Sequence, residues 1–255
     1  MIAAGSLEFA LARMQARMGR RPAEAAWRSI EQSRDVAPIL EMCGETSLHD
    51  VAASLAESRD LHAADRAARE GWRRAVGDAT AWMPADFAAA LAWLRIAPLL
   101  PALEHLARGG GGTPWMSADA DLAEVSAAAI AERASTVARG FMAALSPSWN
   151  APGNLGEAWY AEWERRLPRA ALHDSALAGL ARDVGRHLAR FRTAAVHEAP
   201  SLRRDLEARL IACFRRHALE PAAAFAWLGL VALDLERLRG ELARRIAFPH
   251  ARWVT

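Results

Sequence analysis

The stretch that decides the fold is Pro221-Ala-Ala-Ala-Phe-Ala-Trp-Leu-Gly-Leu-Val-Ala-Leu-Asp-Leu-Glu-Arg-Leu-Arg-Gly-Glu-Leu-Ala-Arg-Arg-Ile246, near the end of the chain. Its large aliphatic residues recur at steps of three and four, at Leu228, Val231, Leu235, Leu238, Leu242 and Ile246. This spacing puts them on one face of a helix. Proline is favoured in the first helical turn, where an N–H has no partner in any case. The stretch therefore predicts one long helix with a buried face.

The same helical periodicity continues along most of the chain. A short helix is expected from Val36 to Cys43, closed by Gly44, and a long one from Leu122 to Phe141. Valine, isoleucine and tyrosine, which favour strands, are sparse. We therefore predict an all-α protein, a repeat-like helical bundle or funnel.

Two segments spell nearly the same helix, which suggests internal duplication. Asp86-Phe-Ala-Ala-Ala-Leu-Ala-Trp-Leu-Arg95 and Asp183-Val-Gly-Arg-His-Leu-Ala-Arg-Phe-Arg192 share the pattern D-x-x-x-x-L-A-x-[L/F]-R. Duplicated helical units are typical of scaffolds that act through their surfaces. An alanine-rich chain can also produce such a match by chance. The pattern predicts pseudo-repeated subdomains.

Glycine marks the expected division of the chain. The run from Gly109 to Gly112 predicts a flexible link between an N-terminal helical subdomain, 1–108, and C-terminal helical subdomains, 115–255. We expect the parts to form one compact unit.

The chain contains no lysine, because all 32 of its Lys and Arg residues are arginine, against 30 Asp and Glu residues. A Walker A loop and Schiff-base or pyridoxal chemistry each need the lysine amine, so these functions are excluded. Arginine also suits nucleic acid, but here carboxylates are interleaved with the arginines along most helices. A GC-rich genome explains the arginine bias better, and we expect no nucleic-acid partner.

The residues that could bind a metal or act in catalysis do not form a complete set. The nearest groups are His49-Asp50, Asp60 with His62, Asp183 with His187, Ser175 beside His173-Asp174, and the carboxylates Glu162 and Glu164. A structural zinc usually needs four ligands, and no such quartet is present. Two carboxylates two positions apart on a helix point to different faces. We expect no metal, no cofactor and no catalytic residue.

The cysteines and the N-terminus indicate in which cellular compartment we expect the protein. Cys43 and Cys213 lie in apolar helical stretches, as buried reduced thiols do. No signal peptide is visible at the start. The uncharged run from Pro221 to Leu233 is too short to cross a bilayer. These features predict a cytoplasmic protein.

Both ends of the chain carry motifs of one known family. The start reads Leu7-Glu-Phe-Ala-Leu-Ala-Arg13-Met-Gln-Ala-Arg17-Met-Gly19, followed by Leu40-Glu-Met-Cys-Gly-Glu45-Thr46. The end has Glu220-Pro221, an apolar run to Leu233, then Glu236-Arg-Leu238-Arg239-x-x-Leu242-Ala-Arg244-Arg245 and Phe248-Pro249. These segments resemble the C subunit of V/A-type rotary ATPases, called subunit d in the vacuolar enzyme.

The paired helices are similar to that family's repeated D-x-x-N-L helix, which is followed by Leu-Arg. Asp234 with Leu238-Arg239 resembles a degenerate third copy. The asparagine of the motif is replaced by Ala89 in the first copy and by Arg186 in the second. The chain is also shorter than family members usually are, so it resembles a divergent and shortened relative.

The resemblance implies a function without catalysis. Members of that family are helical funnels that seat the central-stalk axle on one face and rest on the membrane rotor ring with the other. It implies a structural coupling subunit, cytoplasmic and attached at the inner face of the membrane only through its protein partners. The candidate partner-binding residues are Arg13, Arg17, Arg95, Arg192 and Arg239. The alternative is a free-standing α-helical adaptor or regulator that binds another protein.

Overall fold

The computed structural model describes residues 6–55, 60–151, 153–169 and 175–248. Within these ranges every regular element is a helix and no strand occurs, which confirms the all-α prediction. The α-helices are α1 (Leu7–Met18), α2 (Glu24–Gln32), α3 (Val36–Gly44), α4 (His49–Ser54), α5 (Leu61–Trp82), α6 (Ala88–Leu94), α7 (Leu100–Ala107), α8 (Pro114–Ala118), α9 (Ala123–Ala127), α10 (Arg133–Arg139), α11 (Leu155–Arg166), α12 (Ser175–Thr193), α13 (Ala199–Arg216) and α14 (Pro221–Ala247). Single 3-10 turns or short 3-10 helices span Ala85–Phe87, Ala97–Leu99, Ile130–Glu132, Ala143–Ser148 and Val196–Glu198.

The described helices belong to two compact units that alternate along the chain. Unit 1 is formed by Met1–Ala85 together with Ala171–Thr255, and unit 2 by Asp86–Ala170. Unit 1 therefore holds α1 to α5 and α12 to α14, and unit 2 holds α6 to α11. The glycine run at 109–112, expected to link two subdomains, lies inside unit 2.

Unit 1 is built around α14, the long helix that the sequence predicts. Its first half is buried on every side, and α5, α13, α1 and α12 all pack against it. Two glycines allow the closest of these contacts. A Cβ atom at Gly71 of α5 would lie 3.2 Å from Leu235, and one at Gly229 of α14 would lie 2.8 Å from Leu210. Any larger residue there would force the helices apart or displace these leucines.

Unit 2 is made of short helices, and it overturns the single helix predicted from Leu122 to Phe141. The chain instead forms α9, a 3-10 turn and α10, because the backbone is extended at Ala128 (φ −67°, ψ 145°) and Ala129. The Nε atom of Arg133 donates to the Ala128 carbonyl at 3.3 Å and so helps to fix the bend. The pattern of apolar residues could not reveal this break, since no glycine or proline marks it.

The glycine run in unit 2 is held in place, which differs from the flexible link expected. The Gly110 carbonyl accepts a hydrogen bond from Arg133 at 2.7 Å, and the Gly111 carbonyl lies 3.1 Å from Nε2 of His105. A Cβ atom at Gly110 would lie 2.3 Å from the His105 ring, and one at Gly112 would lie 2.7 Å from the Ser126 carbonyl oxygen. The glycines serve close packing here.

The two similar segments lie in different settings, so the structure does not confirm the repeat. Asp86 is exposed in a 3-10 turn and Leu91 is fully buried in α6. Their counterparts, Asp183 and Leu188, lie along the middle of α12 and are both half-buried. The matching letters therefore do not occupy matching positions in the fold.

Candidate protein-binding surface

Arg13 and Arg17 lie one turn apart on α1 and both stack on Trp82 at the end of α5. Their guanidinium carbons lie 5.8 Å and 5.2 Å from the indole centroid. Arg13 also lies 5.3 Å from the centroid of the Phe9 ring, and Arg17 forms an ion pair with Asp78 at 2.8 Å. We call Phe9, Arg13, Arg17, Asp78 and Trp82 together the Trp82 surface.

Local structure explains why these side chains meet. The Oγ atom of Ser6 accepts the Phe9 N–H at 3.2 Å and so caps the start of α1. The opposite face of α1 is buried through Ala10, Leu11 and Met14. The pair Arg13 and Arg17 therefore points outward, and 47% of the Arg17 side chain is exposed. Behind them, the indole of Trp82 packs against Trp227 at 6.1 Å between centroids.

The chemistry of the Trp82 surface suits a protein partner. Tryptophan and arginine are the residue types most enriched among the energetic centres of protein interfaces. Each guanidinium stacked on the indole gains cation–π stabilisation, and the N–H groups of Arg17 that do not bind Asp78 can donate to a second molecule. The half-exposed Trp82 adds apolar area beside these donors.

Arg95 belongs to a second arginine–aromatic cluster, inside unit 2. It lies 4.7 Å from the centroid of Phe141, whose exposed fraction is 43%, and pairs with Asp121 at 2.9 Å. Arg166 stacks on Trp93 at 4.3 Å and lies 5.7 Å from Phe141. This cluster has the same residue types as the Trp82 surface, but its tryptophan, Trp93, is fully buried.

The other two predicted residues make different contacts in unit 1. Arg239 pairs with Asp65 at 3.1 Å, with 47% and 41% of the two side chains exposed. Ion pairs with this degree of exposure contribute less than about 1 kcal/mol to the stability of the fold. Arg192 is exposed near the end of α12. Of the five predicted arginines, the structure brings only Arg13 and Arg17 together on one surface.

The charged residues that sequence reasoning missed are buried ones, first among them Asp234 in α14. The carboxylate is 3% exposed and accepts two hydrogen bonds from Arg21, at 2.6 Å and 2.8 Å. Arg21 also bonds Glu207 of α13. Burial raises the pKa of Asp234 to about 6, and the charge of Arg21 opposes that rise. At neutral pH the carboxylate is therefore ionised. Its place between Leu233 and Leu235 was the available sequence signal.

Two further arginines of α14 tie it to α2. Arg245 is 3% exposed and donates to the carbonyls of Ile30, Glu31 and Ser33 at 2.8–3.0 Å, which closes the C-terminal end of α2. Arg237 bonds both Glu24 and Glu31 of the same helix. Together with Arg21, these contacts connect the first and last helices of unit 1.

Two charged residues of unit 2, Arg133 and Glu104, bind backbone groups. Arg133 is 4% exposed and donates to the carbonyls of Leu106 and Gly110 at 3.0 Å and 2.7 Å. Glu104 accepts the N–H groups of Gly153 and Leu155 at 2.6 Å and 3.1 Å. These side chains satisfy the orphan groups at the ends of short helices.

The residues weighed as metal ligands serve local structure. Asp60 caps α5 by accepting the Ala63 N–H at 2.7 Å, and Nδ1 of His49 lies 2.8 Å from the Gly44 carbonyl. Asp183 binds Arg186 and Arg209. In the part of the chain that the structure describes, no group of three or more His, Cys, Asp or Glu is placed to hold a metal. His173 and Asp174 lie outside the described residues.

Glu162 and Glu164 have separate partners, as their spacing predicts. Glu162 is buried and binds both Arg165 and Arg166 at 2.7 Å. Hydrogen bonds from Arg165 are the main reason that the pKa of Glu162 is lowered. Glu164 accepts a hydrogen bond from Tyr160 at 2.9 Å. The two carboxylates therefore do not face a common substrate.

The cysteines differ in burial. Cys43 is fully buried in α3, and desolvation raises the pKa of its thiol to about 11. Cys213 of α13 is half-buried. A thiol with so high a pKa is a poor nucleophile at neutral pH.

One segment of the described chain is long and apolar enough to cross a membrane, Ala85–Ala107, with a mean hydropathy of 1.4. Half of its most apolar window is buried inside the fold, and Leu91, Trp93 and Leu103 are fully buried in unit 2. The segment also contains two 3-10 turns. These features are those of core helices in a globular unit.

Comparison of the chain with protein-family models, with curated proteins and with solved structures finds no match.

Proposed function

We propose that the protein is a non-catalytic structural subunit that couples two protein partners, in the manner of the central-stalk socket of a V/A-type rotary ATPase. The observation that carries the proposal is the Trp82 surface. It presents two arginines stacked on one tryptophan, held on the long helix α5 and the capped helix α1. The sequence resemblance supplies the identity of the partners, the stalk axle and the membrane rotor ring.

The way in which unit 1 is held together supports a mechanical role. A part that transmits force must keep its shape, so its helices need fixed crossing points. Arg21, Arg237 and Arg245 each connect helices more than 180 residues apart in sequence through hydrogen bonds with at least one buried or half-buried partner. Such connections resist the sliding of helices, because each one depends on the direction of a guanidinium fork.

The test is co-purification of the full chain with the axle and rotor-ring subunits of a V/A-type ATPase. We expect Trp82→Ala, and the double variant Arg13→Ala with Arg17→Ala, to weaken capture of one of these subunits at least tenfold, as loss of an interface hot spot does. Arg74→Ala is the matched control, because Arg74 is an exposed arginine of α5 outside the Trp82 surface.

Two outcomes would overturn the coupling role. One is that the wild-type chain captures neither subunit. The other is that a different protein dominates the capture and is lost with Trp82→Ala, which would identify the chain as a free-standing adaptor. If the Trp82→Ala variant captures the axle or ring subunit as well as the wild type does, the Trp82 surface is not the binding site.

A further inference from the structure

The helical hairpin formed by α12 and α13 concentrates positive charge. Residues 175–216 hold nine of the 32 arginines and only four of the 30 carboxylates, a formal net charge of +5. The rest of the chain holds 23 arginines against 26 carboxylates, a net charge of −3. The interleaving of charges seen along the sequence therefore breaks down in this hairpin.

Eight of these arginines are exposed, and the seven other than Arg192 are called the basic face: Arg182, Arg186, Arg190, Arg204, Arg209, Arg215 and Arg216. On α12, three of them recur at steps of four, so they form one stripe. Arg186 and Arg209 share Asp183, at 3.2 Å and 3.1 Å. The other five make no ion pair with any residue in the described ranges.

The neutral residues between these arginines are small. Ala189 of α12 and Ala208 and Ala212 of α13 are exposed among them, and no aromatic side chain is exposed in either helix. Bases of single-stranded nucleic acid are bound by stacking on aromatic rings, which this face does not offer. An array of guanidinium groups among small side chains can approach a layer of phosphate groups closely.

Exposed apolar residues stand at both ends of α13. Val196, in the turn before the helix, is 92% exposed, and Leu219, just after it, is 77% exposed. These are the two most exposed large apolar side chains among the described residues. Exposed apolar side chains beside basic residues can enter the headgroup layer of an anionic bilayer.

We infer that the basic face binds the phosphate headgroups of an anionic phospholipid bilayer. The guanidinium groups donate to phosphate oxygens, while Val196 and Leu219 enter the headgroup layer. This contact goes beyond the coupling role and does not depend on it, because it needs no protein partner. It would give the chain its own attachment to the membrane.

The test is sedimentation of the full chain with vesicles of phosphatidylcholine, with and without about one-third phosphatidylserine. We expect binding only to the anionic vesicles. Replacing Arg204, Arg215 and Arg216 by glutamine should weaken it about a hundredfold, since each arginine near such a surface contributes about a factor of five. Val196→Ser with Leu219→Ser should weaken it severalfold at unchanged charge.

The matched control replaces Arg28, Arg34 and Arg66 by glutamine, which are exposed arginines of unit 1 outside the hairpin. Circular dichroism establishes that each variant is folded. If the control variant weakens vesicle binding equally, binding depends only on the net charge of the chain, and the assignment is overturned. Absence of binding to anionic vesicles would also overturn it. So would binding to duplex DNA that is tighter than to vesicles and is lost in the hairpin variant.

Discussion

Buried charge contributes in two ways, and each unit offers an example. In unit 1, Asp234 of α14 binds the side chain of Arg21 from the N-terminal part. In unit 2, Arg133 and the largely buried Glu104 bind backbone groups. Both ways occur in both units, because Arg245 of unit 1 binds carbonyls and Glu162 of unit 2 binds arginine side chains. Helix length is one reason that short helices use backbone contacts. Short helices have many unpaired N–H and C=O groups for their size, whereas long helices have few and need fixed crossing points.

This comparison teaches that the same residue type contributes in two ways. A buried pair of opposite charges stabilises only as long as both members are present. A buried charge on backbone groups has no partner to lose, but its removal leaves carbonyls or N–H groups unsatisfied. Substitutions can separate the two cases.

The largest effect is expected at the centre of unit 1. Asp234→Leu should lower the free energy of unfolding by about 3–5 kcal/mol, because Arg21 then stays largely buried with only Glu207 beside it. Chemical denaturation measures this loss. The exposed ion pair of Arg239 with Asp65 provides the control. Arg239→Ala should lower the free energy of unfolding by less than about 1 kcal/mol.

A double variant makes this prediction sharper. Arg21→Met together with Asp234→Leu removes both charges, so the loss should be smaller than the sum of the two single losses. If the two losses in the free energy of unfolding simply add, Arg21 and Asp234 act independently. The interpretation of Arg21 and Asp234 as a buried pair is then wrong.

The next effect is expected at Arg133 of unit 2. Arg133→Met should cost about 2–4 kcal/mol, because the carbonyls of Leu106, Gly110 and Ala128 lose their donor in a buried place. Arg133→Lys should restore only part of the loss, since one ammonium cannot reach three carbonyls in the fork geometry. Hydrogen exchange should become faster in α7 and α10. If hydrogen exchange in α7 and α10 of the Arg133→Met variant stays at the wild-type rate, Arg133 does not stabilise the backbone there.

A smaller effect is expected at Glu104. Glu104→Ala removes the acceptor for the N–H groups of Gly153 and Leu155 and should cost about 1–2 kcal/mol. Glu104→Gln keeps one acceptor oxygen and should cost less. If both variants lose the same free energy of unfolding, the charge of Glu104 stabilises the fold and its role as a cap does not. Glu104 would then act as the paired charges of unit 1 do.

The smallest effect concerns pH and His187 in unit 1. Burial lowers the pKa of His187 below its ordinary 6.5, and Arg203 and Arg190 lower it further, against the carboxylates of Glu236 and Asp205. The unfolded chain then binds a proton more readily than the folded chain. The stabilising contribution is present above pH 6.5 and is lost as the pH falls below it. His187→Gln should flatten this decline in denaturation curves between neutral pH and about pH 5.

The sequence predicts the helices well where apolar spacing is long and regular. The helix from Pro221 was expected nearly to its end, because a buried stripe along many turns leaves no other regular structure. The break at Ala128 was not predictable, since alanine fits both a helix and an extended bend. Arg13 and Arg17 could be picked out as one face of a helix. Their stacking on Trp82, which comes from another helix, depends on packing that no local pattern contains.

Unit 1 has a consequence for the order in which the chain can fold during synthesis. Unit 2 is complete once Ala170 has been made, whereas unit 1 waits for α14, which supplies Asp234 and the surface that α5 and α13 cover. Until then, the first five helices have apolar faces without a cover, and Arg21 lacks its buried partner Asp234. The first helices made are therefore among the last to reach their final place, and a ribosome that stalls before Asp234 leaves them exposed to aggregation.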